Sequence, residues 1–193
     1  MQNNISVKVI DLVKKSIKHY YETKDYFVPD LSNYYEDIFR QESGVFVTLH
    51  LEGQLRGCIG IIEGFDTVLN LIIQNSIAAA FDDPRFLPLT QAEFENVEIE
   101  VSILTKPENF NYRNSEELIN KLSKDKPGVI LEKGWQKATF LPSVWEEIAS
   151  AEEFLDNLCI KAGMEVDEWR RGNVDVKLYR AEVYRELDNW ITG

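Results

Sequence analysis

The stretch that decides the fold is residues 45–62, which read VFVTLHLEGQLRGCIGII. In its first half, Val45–Leu51, two sets of side chains alternate regularly, and successive residues of a strand point to opposite faces of a sheet. After Glu-Gly-Gln at 52–54, a second apolar run continues through Leu55–Ile62. The stretch therefore predicts two antiparallel strands joined by a tight turn.

The length of this turn determines which residues of the two strands face each other. A two-residue turn would place Arg56 and Cys58 on the aliphatic face of the first strand, whereas a three-residue loop leaves one face uniformly apolar. A shift of one residue moves every side chain to the other face, so the consistent apolar face is favoured. We therefore predict a three-residue loop, with Leu51 opposite Leu55, Arg56 opposite His50 and Cys58 opposite Thr48.

Helices and strands are mixed along the rest of the chain. Ile5–Tyr21 has apolar residues at helical spacing, and Thr67–Phe81 is apolar on most sides, which predicts a buried helix capped by Asp66. Val174–Tyr184 is predicted as one long closing strand. These elements favour an α+β fold with an antiparallel sheet flanked by helices. We treat residues 1–193 as a single domain, in which residues of about 107–145 can form a smaller lobe.

Charge and composition oppose several classes of function. The 193 residues include 33 acidic and 21 basic side chains, and the resulting net charge of −12 opposes non-specific binding to nucleic acid or anionic membranes. No apolar run approaches the roughly 18 residues needed to span a bilayer, and the N-terminal residues lack a signal-peptide pattern. Two histidines and two distant cysteines show no metal-ligand spacing, so neither a metal nor a cofactor is predicted. We expect a cytoplasmic protein with free thiols.

The first candidate site lies in the second predicted strand and contains Arg56, Gly57, Cys58 and Gly60. Arg56 can lower the pKa of the Cys58 thiol and make it nucleophilic, or it can bind a carboxylate or phosphate. Cys58 can equally be a small, buried and unreactive core residue. Glycine weakens strands, so the two glycines indicate the close approach of a ligand or of another part of the protein.

A second candidate lies in the loop that contains Asp83, Arg85 and Phe86. The loop combines charges, a rigid proline and an aromatic ring, as the rim of a pocket can. The alternative is a structural turn in which an aspartate pairs with Arg85. Immediately after it, Thr90-Gln-Ala-Glu93 has the pattern of a capping box that begins a short helix.

Leu55-Arg-Gly-Cys-Ile-Gly60 resembles the signature of the AMMECR domain family. Further matches occur in order through nearly the whole chain: Gly44-Val-Phe-Val-Thr48, Asp83-Pro-Arg-Phe86, Pro88-Leu-Thr90, Glu98-Ile-Glu-Val-Ser102, Glu132-Lys-Gly134, Phe140-Leu-Pro142 and Phe154–Gly163. The length is similar to that of the stand-alone prokaryotic members, which belong to the AmmeMemoRadiSam system. The resemblance implies a two-lobed α+β fold with an antiparallel sheet flanked by helices.

The resemblance also implies partners, because prokaryotic relatives occur with a Memo-type protein and a radical SAM enzyme. It implies no known enzymatic activity. On this basis we expect a binding or adaptor component whose LRGCIG strand face is the recognition surface. The expected binding residues are Thr48, His50, Arg56, Gly57, Gly60, Asp83, Arg85 and Phe86. The alternative is an enzyme in which Cys58 is the nucleophile and Arg56 activates it.

Overall fold

A computed structural model describes residues 2–186, and these form two compact units, each built on a four-stranded antiparallel sheet. The first unit contains residues 2–104 and 182–186, and the second contains Thr105–Ala181. The predicted α+β class is confirmed. The second unit continues well beyond residue 145, because its sheet includes a strand near the end of the chain.

The first unit packs helices against a sheet with the strand order β2-β1-β3-β8. Its strands are β1 (Val45–Leu51), β2 (Gln54–Ile61), β3 (Glu98–Leu104) and β8 (Ala181–Arg185), and its helices are α1 (Gln2–Thr23), α2 (Asp37–Arg40), α3 (Val68–Phe81) and α4 (Gln91–Phe94). A short 3₁₀ helix covers Leu31–Asn33. The apolar helix predicted for this unit is α3, and most of its residues are buried. Its N-cap is Thr67, whose side chain accepts from the Asn70 amide at 3.3 Å, rather than the predicted Asp66.

The hairpin of β1 and β2 has a different turn from the predicted one. Leu51 pairs with Gln54, so the loop consists of Glu52 and Gly53 alone, with φ angles of 54° and 74°. Positive φ at both central residues is the requirement of the two-residue turns that suit the twist of a hairpin. The predictions of a three-residue loop and of Leu51 opposite Leu55 are therefore wrong.

A β-bulge at Arg56 restores the predicted pairing farther along the hairpin. His50 pairs with Leu55, and the next pair is Leu49 with Gly57, so Arg56 is the extra residue on β2. The prediction that Arg56 faces His50 is wrong for this reason. Beyond the bulge, Cys58 lies opposite Thr48 as predicted. A bulge adds one residue to one strand. Here it compensates for a loop that is one residue shorter than predicted.

The second unit has the strand order β4-β7-β5-β6. Its strands are β4 (Glu108–Asn109), β5 (Gly128–Lys133), β6 (Gln136–Phe140) and β7 (Asp175–Tyr179), its helices are α5 (Ser115–Asp125) and α6 (Ala151–Lys161), and 3₁₀ helices cover Pro142–Glu146 and Glu168–Arg171. In its core, the rings of Trp145 and Phe154 stack with centroids 4.0 Å apart. Cys159 is fully buried in this core.

The predicted closing strand over Val174–Tyr184 is wrong, since the chain forms two strands there. β7 belongs to the sheet of the second unit and β8 to that of the first. Between them, the Arg180 amide donates to Thr105 Oγ1 at 2.9 Å, and the Arg180 carbonyl accepts from the Thr105 amide at 2.8 Å. These bonds hold the chain at the point where it leaves one sheet for the other.

Residues 2–186 include no helix with both the length and the apolar character that a membrane span requires. The predicted cytoplasmic location stays a prediction.

Candidate functional site

The backbone of Cys58 lies on the free edge of the first sheet, because β2 pairs with β1 on one side only. An edge strand presents unpaired N–H and C=O groups along that side. The Cys58 amide donates to Asp83 Oδ2 at 2.9 Å, and its carbonyl accepts from Arg85 Nη2 at 3.0 Å. Two side chains of one loop therefore take the place of a neighbouring strand at this residue.

Asp83 and Arg85 form a two-pronged ion pair. Arg85 Nε lies 2.9 Å from Asp83 Oδ1, and Nη2 lies 2.7 Å from Oδ2. The Asp83 side chain is only 2% exposed, whereas that of Arg85 is 53% exposed. The hydrogen bonds from Arg85 hold the pKa of Asp83 well below its usual range, and the bond from the Cys58 amide adds to this effect. Asp83 thus stays ionised inside the protein, as an acceptor for both partners.

Arg56, the bulged residue, forms a second pair of the same kind with Glu93 of α4. Its Nε and Nη2 atoms donate to the two carboxylate oxygens of Glu93 at 2.9 and 3.1 Å. The predicted capping box is confirmed, since Glu93 also accepts from the Thr90 amide at 2.8 Å. The Glu93 carboxylate therefore joins the beginning of α4 to the bulge of β2. Sequence analysis missed this role of Glu93, although the capping box indicated where its carboxylate lies.

The ring of Phe86 connects the two ion pairs. The guanidinium carbon of Arg56 lies 5.8 Å from the ring centre and that of Arg85 lies 5.5 Å from it, within the range of cation–π attraction. We call the set of residues joined in this way the Cys58 cluster. It consists of Thr48, Arg56, Cys58, Asp83, Arg85, Phe86, Thr90 and Glu93.

The Cys58 thiol is half-buried, and its described polar side-chain partner is Thr48 Oγ1 at 3.3 Å. The guanidinium of Arg56, which sequence analysis proposed as the activating group, is bonded to Glu93 instead. Arg85 is bonded to the Cys58 carbonyl. The pKa of Arg85 is raised first by its hydrogen bond to Asp83, and Cys58 makes a smaller contribution of the same sign.

His50 does not join the Cys58 cluster. It lies opposite Leu55 on one side and Glu98 on the other, and it lines a separate hollow of about 320 Å³ with Glu98 and Glu100. Among the hydrogen bonds described for residues 2–186, none joins His50 to Cys58. Within the same residues, no group of three His, Cys, Asp or Glu side chains is placed to hold a metal ion.

The two glycines of β2 allow other parts of the chain to pack closely against this strand. A Cβ atom added to Gly57 would lie 2.2 Å from the Ala79 carbonyl oxygen of α3, and one added to Gly60 would lie 2.3 Å from the Phe46 ring. Real side chains do not approach so closely. The space beside both glycines is therefore filled by the protein itself, in keeping with close approach by another part of the protein.

Acid is expected to weaken the ion pair between Arg56 of β2 and Glu93 of α4. The hydrogen bonds from Arg56, followed by those from Thr90, lower the pKa of Glu93 from 4.5 to about 2. A carboxyl group whose pKa is lowered by folding stabilises the folded state above its unfolded pKa, and this contribution is lost as the pH falls toward the folded pKa. Between about pH 5 and pH 2 we expect Glu93→Gln to show a smaller loss of unfolding free energy than the unchanged protein, by about 1–2 kcal/mol. Urea titrations across this range measure the difference.

The matched control is Glu95→Gln, since Glu95 is exposed and lies two residues away. This variant should follow the pH dependence of the unchanged protein. Equal pH dependence in all three proteins would show that the pair between Arg56 and Glu93 contributes nothing to acid stability.

Comparison with known proteins identifies a group of archaeal relatives. The family model AMMECR1 matches residues 10–184. A protein of Thermofilum pendens is 36% identical over 189 residues, covering 92% of this chain and 88% of its own length. Protein MJ0810 of Methanocaldococcus jannaschii is 36% identical over 157 residues, covering 80% and 78%. The crystal structure of the uncharacterized protein PH0010 from Pyrococcus horikoshii superposes with a TM-score of 0.82 at 33% identity, covering 92% and 89%.

Proposed function

Because this chain belongs to the AMMECR1 family, we propose that it is a non-catalytic binding component that acts with a Memo-type protein and a radical SAM enzyme. The Cys58 cluster is its recognition surface in this proposal. One observation carries the proposal: two-pronged ion pairs hold the polar groups of the cluster in place, while Cys58 and Arg85 remain accessible. Groups that are held in position before a partner arrives lose little conformational freedom on binding.

Apolar side chains beside the cluster add contact area for a protein partner. Leu87 follows Phe86 and is 83% exposed, and Leu55 precedes Arg56 and is 41% exposed. Stable interfaces combine apolar anchors with positioned polar groups and favour arginine and aromatic residues. The surroundings of Cys58 have this composition.

The partners of the thiol favour binding over catalysis. A cysteine nucleophile is normally activated by a base or by a cation that stabilises the thiolate. The Thr48 hydroxyl donates to the sulfur, and a neutral hydroxyl is too weak a base to remove a proton from a thiol. Within residues 2–186 the thiol has no described histidine partner that could serve as a base.

The proposal is tested by mixing the purified chain with the Memo-type protein and the radical SAM enzyme of the same organism. Size-exclusion chromatography and calorimetry should detect a complex, and Leu87→Glu should weaken it at least about tenfold by placing a charge in the interface. The matched control is Val28→Glu, since Val28 is 85% exposed and lies outside the cluster. Absence of a complex with both enzymes, or equal binding by the two variants, would refute the proposal.

A second candidate, an enzyme with Cys58 as the nucleophile, is favoured by the position of Arg85. Its guanidinium bonds to the Cys58 carbonyl and interacts electrostatically with the thiol. Iodoacetamide labelling across a pH series tests this candidate, with Arg85→Gln as the comparison. Reaction of Cys58 well below the ordinary thiol pKa of about 8.5, lost in the variant, would support a catalytic thiolate. Labelling that follows the ordinary value in both proteins would exclude it.

A further inference from the structure

The second unit contains a cleft that plays no part in the proposed function. It lies between the segment that leads from β4 to α5, the turn after the 3₁₀ helix at Glu168–Arg171, and the first residues of β7. Its volume of about 720 Å³ is within the range of small-molecule sites. All of its lining residues belong to the second unit, whereas the Cys58 cluster belongs to the first.

The lining of this cleft is rich in cationic side chains, although the whole chain is strongly acidic. Its charged residues are Arg113, Arg170, Arg171, Lys177, Glu132 and Asp175. Four cations and two carboxylates give the lining a formal charge of +2, and one of these cations, Lys177, is paired with Glu132 at 2.9 Å. Since a negative protein repels anions over most of its surface, guanidinium donors gathered in one cleft indicate where an anion can bind.

Two of the arginines are held in place by carboxylates that are not part of the lining. Arg170 donates from Nη1 to Asp156 at 2.8 Å, and its guanidinium lies 4.1 Å from the centre of the Trp169 ring. Arg171 donates to Asp167 at 2.9 Å and to Glu168 at 3.4 Å. Arginine has five N–H donors, so each guanidinium keeps donors beyond these bonds. The side chains are about half exposed, at 43% and 50%.

Arg113 is the most accessible cation of the cleft. Its side chain is 91% exposed, and its Nε lies 3.7 Å from the carboxylate of Glu117, beyond hydrogen-bond distance. Arg113 can therefore turn toward a ligand without breaking a hydrogen bond of its side chain. A planar guanidinium matches the paired oxygens of a phosphate group.

Aromatic rings and amides occupy the same segment as Arg113. The rings of Phe110 and Tyr112 lie nearly parallel, with an angle of 15° and centroids 6.4 Å apart, and both residues line the cleft. Asn109, Asn111 and Asn114 also line it. Aromatic faces stack on nucleobases, and amides can donate to and accept from the edges of a base.

We propose that this cleft binds a nucleoside monophosphate, with the phosphate at the arginines and the base against the Phe110–Asn114 segment. Inorganic phosphate is much smaller than the cleft and would leave the rings and amides without a partner. An uncharged nucleoside would offer no anionic acceptor to the remaining guanidinium donors. The volume of the cleft, its arginines and its ring-bearing segment together therefore favour a ligand that carries both a phosphate and a base.

Calorimetric titration of the full chain with AMP and GMP at low salt tests this assignment. We expect at least one of them to bind at least about tenfold more tightly than adenosine, guanosine or inorganic phosphate. Arg113→Ala and Arg171→Ala should each weaken this binding at least about fivefold. The control is Lys124→Ala, an exposed cation of α5 outside the cleft, which should bind as the unchanged chain does.

No binding of AMP or GMP at millimolar concentration would overturn the proposal, and so would binding that neither arginine substitution weakens. Phosphate that binds as tightly as either nucleotide would overturn the assignment of the base. Circular dichroism of Arg171→Ala shows whether loss of the bond to the buried Glu168 disturbs the fold, and the highly exposed Arg113 provides a test that does not depend on that bond.

Discussion

Asp83→Ala is expected to lower the free energy of unfolding by about 3 kcal/mol, because it removes the buried carboxylate at the centre of the Cys58 cluster. The substitution leaves the Cys58 amide without its acceptor and Arg85 without its carboxylate partner. Breaking a buried pair is costly because the remaining groups stay desolvated. Half of the Arg85 side chain is exposed, so water can solvate part of it, and we place the loss at the lower end of the known range. Urea unfolding at neutral pH measures the change.

Asp82→Ala is the matched control, since the neighbouring Asp82 is exposed. It should alter the free energy of unfolding by less than about 0.5 kcal/mol. Asp83→Asn should fall between the two, because an amide keeps one acceptor oxygen for the Cys58 amide but presents N–H groups to Arg85. A loss below about 1 kcal/mol in Asp83→Ala would contradict the central role of this carboxylate.

Gly57→Ala is expected to cost about 3 kcal/mol, because α3 leaves no space for a methyl group at this point of β2. The added carbon would lie 2.2 Å from the carbonyl oxygen of Ala79. That oxygen belongs to the backbone of a buried helix, so strand and helix must separate to relieve the contact. The displacement would also move Cys58, the next residue, relative to Asp83. Urea unfolding gives the change in stability.

Gly53→Ala provides the comparison, because Gly53 has nothing within 4 Å of an added carbon but a φ of 74°. Its cost should be about 1 kcal/mol, the strain of a left-handed backbone. The difference between the two variants isolates packing from backbone strain. Equal losses would mean that the close approach of α3 to Gly57 does not matter.

The sequence predicted much of the fold because local patterns record which side of an element is buried. The alternation in Val45–Leu51 indicated the buried face of β1, and the apolar run at 67–81 indicated α3. The pattern could not show the bulge at Arg56, since adding one residue to the strand and removing one from the loop leave the same alternation beyond it. It could not show that 174–184 divides between two sheets, because both halves have strand-like composition.

The sequence predicted the residues of the candidate site but not the contacts between them. Arg56, Cys58, Asp83, Arg85 and Phe86 were all named from the sequence, and the structure brings them together. The hydrogen bonds that join β2 to this loop and to α4 span 25 to 37 residues of chain, and no local pattern encodes such separations. For this reason Arg56 was assigned to the thiol and Glu93 was missed.

The sequence by itself determined that Cys58 lies on the face of β2 away from the aliphatic residues, because the alternation in β1 marks which face of the hairpin is buried. Only the tertiary structure decided what the residues around it do. Packing against α3 explains Gly57, the free edge of the sheet explains Asp83 and Arg85, and the nearby end of α4 explains Arg56. These roles depend on hydrogen-bond partners and space that exist only once distant segments have met.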